Sequence, residues 1–315
     1  MKRTRNPGFT LVELLTVVAI ITLLISILVP AVNRARRNAL EASIRAQHYS
    51  LSQGLEMFKG DYHYYPSSLP QDADGAEPTD TNDDGDLRDQ VVDATHVVQG
   101  AHRLAFALMG RDKLGCPAGA GADSISTTYY RTNTGTVVGP TDPDWGNPDM
   151  KVARRGPYIS PEGYQTIEDQ SVTTDSYVWL LCDKYNRTRD PVPSGATNYL
   201  DYSPILYYAA NERGKGISRP NAKDDIYYYE DNRNITDGNF RDISGNSSVN
   251  SVDFWRFIQD ASATVGGSLT DVPADGTPSA TPLFRPHNPE GFILLSAGND
   301  LIFGTEDDIF NWTVE

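Results

Sequence analysis

Gly8-Phe9-Thr10-Leu11-Val12-Glu13-Leu14-Leu15 opens an apolar run that lasts to Val29 and governs how the rest of the chain is read. Between Phe9 and Val29 only Thr10, Glu13, Thr16, Thr22 and Ser26 are polar. A helix rises ~1.5 Å per residue, so this stretch would be ~30 Å long, enough to cross a bilayer core. Lys2, Arg3 and Arg5 precede it, and basic residues hold that end of a span in the cytoplasm. A secretory signal would end in small residues after the apolar run. Pro30-Ala31-Val32-Asn33 supplies no such site.

Glu13 is out of place in such a span. A carboxylate there costs about 2.5–3.5 kcal/mol on insertion scales and calls for a cationic partner. No Lys or Arg stands between residues 6 and 33. Cleavage after Gly8 would free the amine of Phe9 one helical turn ahead of Glu13, within reach of that carboxylate or of a neighbouring subunit's. Gly8-Phe9-Thr10-Leu11-Val12-Glu13 resembles the N-terminal signature of type IV pilins and type II secretion pseudopilins. The resemblance implies that a prepilin peptidase cuts after Gly8 and methylates Phe9. It places Glu13 at the family's assembly glutamate and Pro30 at its helix-loosening proline. Implied partners are other copies, related pseudopilins and an inner-membrane assembly platform driven by a separate ATPase. The implied location is a single pass through the inner membrane, then a periplasmic or cell-surface filament.

Beyond Pro30 the pattern turns amphipathic. Ala31, Ala35, Leu40, Ile44, Leu51, Leu55 and Phe58 recur at helical spacing, with Arg34, Arg36, Arg37, Glu41 and Arg45 on wetter positions. The helix should therefore continue to about Lys59 and stop at Gly60-Asp61 and Tyr65-Pro66. The stretch from Phe58 to Leu69, with its Tyr-Pro, is similar to the post-helix segment of major pseudopilins. The expected layout is a leader at 1–8, a transmembrane helix at 9–29, its amphipathic continuation at 30–60 and a β-rich body at 61–315 carrying insertions. Residues 70–94 read as loop, and 102–109 as a short helix. Strands are predicted at 176–181, 205–208, 226–229 and 292–296 from their aromatic and β-branched runs. The expected fold class is α+β and pilin-like, a long N-terminal helix packed on an antiparallel sheet with long loops.

The 315 residues carry a net charge of -15, which disfavours a nucleic-acid-binding surface. Such acidity suits a solvated surface or carboxylates offered to hard cations. The tail from Ser296 to Trp312 resembles the C-terminal loop of major, G-type pseudopilins, which holds calcium. That resemblance implies Asp300, Asp307 and Asp308 as carboxylate ligands, with carbonyls or hydroxyls from Ser296 or Thr305. Asn299-Asp300-Leu301 departs from the Pro-Asp-Gly of such loops. Independently of the family, carboxylates crowded in one loop repel unless a cation joins them. Asp80, Asn82, Asp84 and Asp86, with Gly85 at the sixth place, match the first half of an EF-hand loop, but Val91 stands where its bidentate Glu belongs. A flexible acidic loop is the simpler reading.

Cys116 and Cys182 permit one disulfide in an oxidising compartment, or serve as unpaired buried thiols. His48, His63, His96, His102 and His287 are scattered, and no hydrolase, zinc-protease, nucleotide or dinucleotide motif occurs, so no enzyme is expected. Two functions follow. One is a structural pseudopilin subunit. The other is a surface-displayed binding protein that uses the pilin route and contacts glycans or other ligands through its tyrosines.

Overall fold

The computed structural model describes residues 11–70, 98–118, 154–172, 178–193, 199, 201–218, 224–236, 254, 258–260, 284–305 and 307–312. The chain divides into two units, Met1–Ser43 and Ile44–Glu315. Helix α1, Leu11–Tyr62, is 52 residues long and begins in the first unit. From Leu11 to Leu40 its side chains are exposed. Its hydroxyls there are satisfied within the helix: Thr16, Thr22 and Ser26 donate to the carbonyls of Glu13, Ala19 and Leu23 at 3.0, 2.9 and 2.7 Å. Back-bonding of this kind removes the donors that lipid would leave unsolvated. The helix runs through Pro30, whose missing N–H deprives the Ser26 carbonyl of its usual partner.

In the body, α1 buries Ile44, Gln47, His48, Leu51, Gly54, Leu55 and Phe58, a stripe at helical spacing. The amphipathic pattern is thus realised from Ile44 onward; Ala31, Ala35 and Leu40 remain exposed. Gly60 lies inside the helix rather than ending it. The stop comes at His63, whose left-handed backbone (φ 68°) turns its N–H onto the Lys59 carbonyl at 2.7 Å.

Helix α2, Gly100–Met109, is buried on all sides, which fits the predicted helix at 102–109. Strands β1 (Cys116–Pro117) and β2 (Arg154–Arg155) form a short antiparallel ladder. Strands β3 (Gln165–Glu168) and β4 (Trp179–Cys182) pair antiparallel, with Gln165 opposite Cys182. The central sheet has the order β5-β6-β7, from Leu206–Ala209, Phe292–Ser296 and Ile309–Phe310, all antiparallel. The expected α+β, pilin-like layout is therefore observed.

Both faces of the central sheet are covered. Tyr207, Ala209, Phe292 and Leu294 pack with Leu51 and Leu55 of α1 and Leu104 and Leu108 of α2. Leu206, Tyr208, Ile293 and Leu295 pack on the opposite side with Ile217, Tyr227, Phe254, Phe284 and Phe303. Strands buried on both faces read as unbroken apolar runs, which is why β5 and β6 were visible without alternation.

The strand predicted at 226–229 is not one. Residues 225–227 form a bend and Tyr229–Asn232 a 3-10 turn leading into α3, Arg233–Thr236. The tyrosines cover the sheet instead of extending it: Tyr229 packs on Phe254 with ring centroids 5.8 Å apart, and Tyr227 donates its hydroxyl to the Asn288 carbonyl. Aromatic runs fit any half-buried surface, so composition alone did not separate the two outcomes. The cysteines are not joined. Cys116 packs with Phe58 and Ala107, whereas Cys182 lies in the cluster of Leu180 and Leu206, and both are buried thiols.

Candidate functional site

Two regions singled out from sequence fall within the described residues. The first is the start of α1. Glu13 occupies its first turn, where a carboxylate complements the partial positive charge of a helix N-terminus. Gly8 and Phe9 lie outside the described residues. α1 is long and apolar enough to cross a membrane.

The second is the loop between β6 and β7. Its backbone turns at Gly298 (φ 67°), Leu301 (φ 64°) and Gly304 (φ 89°), and Leu301 and Phe303 anchor it in the core. A side chain at Gly298 is excluded, because a Cβ there would sit 2.2 Å from the Asp307 carbonyl oxygen. The expected carboxylates do gather in this loop. Asp307 Oδ2 accepts the N–H groups of Asn299 and Asp300 at 2.7 and 3.1 Å, and its Oδ1 accepts the Thr305 hydroxyl at 2.6 Å. Asp300 Oδ1 accepts the Ile302 N–H at 2.8 Å. Asp308 Oδ2 accepts the Gly304 N–H at 2.7 Å, while its Oδ1 is buried without a partner.

Burial pushes the Asp308 carboxyl well above the usual carboxylate range, and the neighbouring Asp307 and Asp300 charges add to the shift. Among the described residues, none of the three forms an ion pair, and no group of three or more His, Cys, Asp or Glu side chains is arranged to hold a metal. Ser296 does not belong to the loop's oxygen set: its hydroxyl is within the core, 2.9 Å from His48 Nε2. Asp80, Asn82, Asp84 and Asp86 lie outside the described residues.

Sequence reading missed the buried polar pairs, whose members are far apart along the chain. His102 Nδ1 accepts the Gln99 N–H at 3.1 Å, which leaves Nε2 to donate to Asp169 Oδ2 at 2.9 Å. Tyr199 and Ser171 also donate to Asp169, at 2.9 and 2.6 Å. Burial pushes the Asp169 carboxyl up, but these bonds outweigh it and the net shift is downward. A hydrolase reading would begin at the Ser296–His48 contact. Both side chains are within 1% of full burial, so no substrate reaches them. His96 lies outside the described residues.

A family model of the prokaryotic N-terminal methylation motif matches residues 3–29. This is a prepilin-type N-terminus. The prepilin-type segment supports a type IV pilin-like protein exported by that route, and its match ends where the apolar run ends. No curated protein and no solved structure matches the chain.

Proposed function

We propose that the chain is a pseudopilin, a structural subunit of a type II secretion or type IV pilus-like filament, cut after Gly8 and methylated at Phe9. The observation that carries this reading is the match of residues 3–29 to the methylation motif, on a helix whose first half is apolar and exposed. Side-by-side packing of such helices would bury that surface. Leu11, Leu15 and Ile27, for instance, are 78%, 63% and 66% exposed in the single chain. Glu13 would meet the Phe9 amine of a neighbour and select its register, since a charge left alone in apolar surroundings is penalised. Pro30 would ease bending of the helix as the subunit leaves the bilayer. The force would come from a separate ATPase through the membrane platform.

Glu13→Ala tests the role: insertion into the membrane should persist while filament assembly is lost. Filaments at wild-type abundance from that variant would defeat the proposal. Mass spectrometry of the envelope-extracted chain should find methylated Phe9 as its first residue.

Calcium at the C-terminal loop belongs to the same proposal. It is supported by the orphaned, buried Asp308 Oδ1 beside two further carboxylates, an excess of acceptors that a hard cation would satisfy. Asp300, Asp307 and Asp308 would hold it, and the ion would supply cross-linking of the loop rather than chemistry. No observation favours the binding-protein reading. Tyr199, Tyr207, Tyr208, Tyr227 and Tyr229 are core residues, and in the cleft of about 730 Å³ beside the end of α1 the Tyr65 ring is covered by Lys59 at 4.1 Å.

A further inference from the structure

Three arginines, Arg34, Arg36 and Arg37, follow the apolar half of α1, and neither the processing segment nor the C-terminal loop uses them. All three are exposed, and among the described residues none of them forms an ion pair. No Asp or Glu stands between Glu13 and Glu41, so the helix itself offers little counter-charge. The rest of the chain is opposite in sign. Residues 1–43 hold six Lys or Arg against two Asp or Glu, while residues 44–315 hold 21 against 40.

Depth and direction decide what these cations meet. With residues 9–29 across the bilayer core, a rise of ~1.5 Å per residue sets the Cα atoms of Arg34 to Arg37 about 7–12 Å beyond Val29. The headgroup layer on each side of the core is about 5–8 Å deep. In an α-helix every Cα–Cβ bond leans toward the N-terminus, which for these residues is the membrane side. A long guanidinium side chain thereby covers the remaining distance and delivers its donors to the phosphates, which arginine grips through paired N–H groups.

The spread around the axis separates lipid from protein as the partner. At ~3.6 residues per turn the three positions cover about 160° of the circumference. One neighbouring helix covers a seam of roughly 100°, so a single protein contact would leave part of the set unengaged. Headgroups, by contrast, lie on every side of the helix. We propose that Arg34, Arg36 and Arg37 form a collar that binds anionic phospholipid headgroups where α1 leaves the bilayer, holding the helix at a fixed depth. This rests on the reading that residues 9–29 span a membrane, and it does not depend on the filament role.

Lipid selectivity of the full chain tests the collar. The chain is reconstituted in vesicles of phosphatidylcholine and phosphatidylglycerol in equal parts, with a trace of either lipid spin-labelled. The label slowed at the protein surface gives the relative association of the two lipids. Phosphatidylglycerol should be favoured, and combining Arg34→Gln, Arg36→Gln and Arg37→Gln should lower that preference by about twofold or more at low salt. The preference that remains belongs to Lys2, Arg3 and Arg5. The corresponding Arg→Lys variant should keep most of the wild-type preference, and added salt should weaken it. A Gln variant as selective as the wild type overturns the collar and leaves the span standing, because the slowed component itself reports a helix within the bilayer. No slowed component for either lipid would refute the span, and the collar with it. Unchanged selectivity joined to lost association between copies would instead assign the arginines to the acidic body of a second chain.

Discussion

Asn232 shows how much of this body rests on single side chains. Its Oδ1 accepts the Ala101 N–H at the start of α2 at 2.8 Å, and its Nδ2 donates to the Tyr207 carbonyl of β5 at 2.8 Å. One amide thereby satisfies an orphan donor of a helix terminus and an outward carbonyl of a strand. Asn232→Ala would take these bonds from both buried groups, at about 1–3 kcal/mol each. Asn232→Asp keeps the acceptor but sets a buried carboxylate oxygen against the Tyr207 carbonyl, and should cost at least as much as the alanine. Denaturant midpoints of the three proteins check the order; an alanine variant as stable as wild type refutes it. None of this was legible in the sequence. Asn232 is 131 positions from Ala101, as His48 is 248 from Ser296, and one sequence carries no signal for such pairs. Glu13, by contrast, was legible because its anomaly is local: one carboxylate within an apolar run.

At the scale of elements, two glycines separate propensity from packing. Gly60 lies in the last turn of α1, with nothing within 4 Å of where a Cβ would be. Gly60→Ala should stabilise the body by about 0.4–1 kcal/mol, because the unfolded chain loses freedom and the folded one loses nothing. Gly100 opens α2 so close to β5 that a Cβ would sit 2.2 Å from the Tyr207 carbonyl oxygen. Gly100→Ala must move the helix and should destabilise by about 1–3 kcal/mol. Thermal melts of the two variants should shift in opposite directions. The elements themselves were readable where burial leaves a period: the α1 stripe from Ile44 to Phe58, and β5 and β6 with both faces covered. They were not readable at 226–229, where a strand-like composition serves a turn whose aromatic rings cover a neighbouring sheet. The helix also runs past Gly60, where composition suggests a stop, because the positive φ that ends it falls at His63.

At the scale of the molecule, a cation at the C-terminal loop would stabilise the body as a whole, since a ligand that binds only the folded state shifts the unfolding equilibrium. Calcium at a hundredfold excess over its dissociation constant should add about 2.7 kcal/mol, and chelation should remove it. Asp308→Asn should abolish the calcium response, as read from the unfolding midpoint with and without chelator. Identical midpoints in calcium and chelator would dismiss the ion from this loop.

The outward backbone groups of β5 have a further consequence. The Ala209 N–H is taken by the Ser68 hydroxyl at 3.0 Å, and the Tyr207 carbonyl by Asn232. A second copy of the chain would consequently find no ladder to extend along that margin. A contact made along that margin would have to be stitched by side chains, leaving it free to slide, twist or let go without tearing a shared sheet.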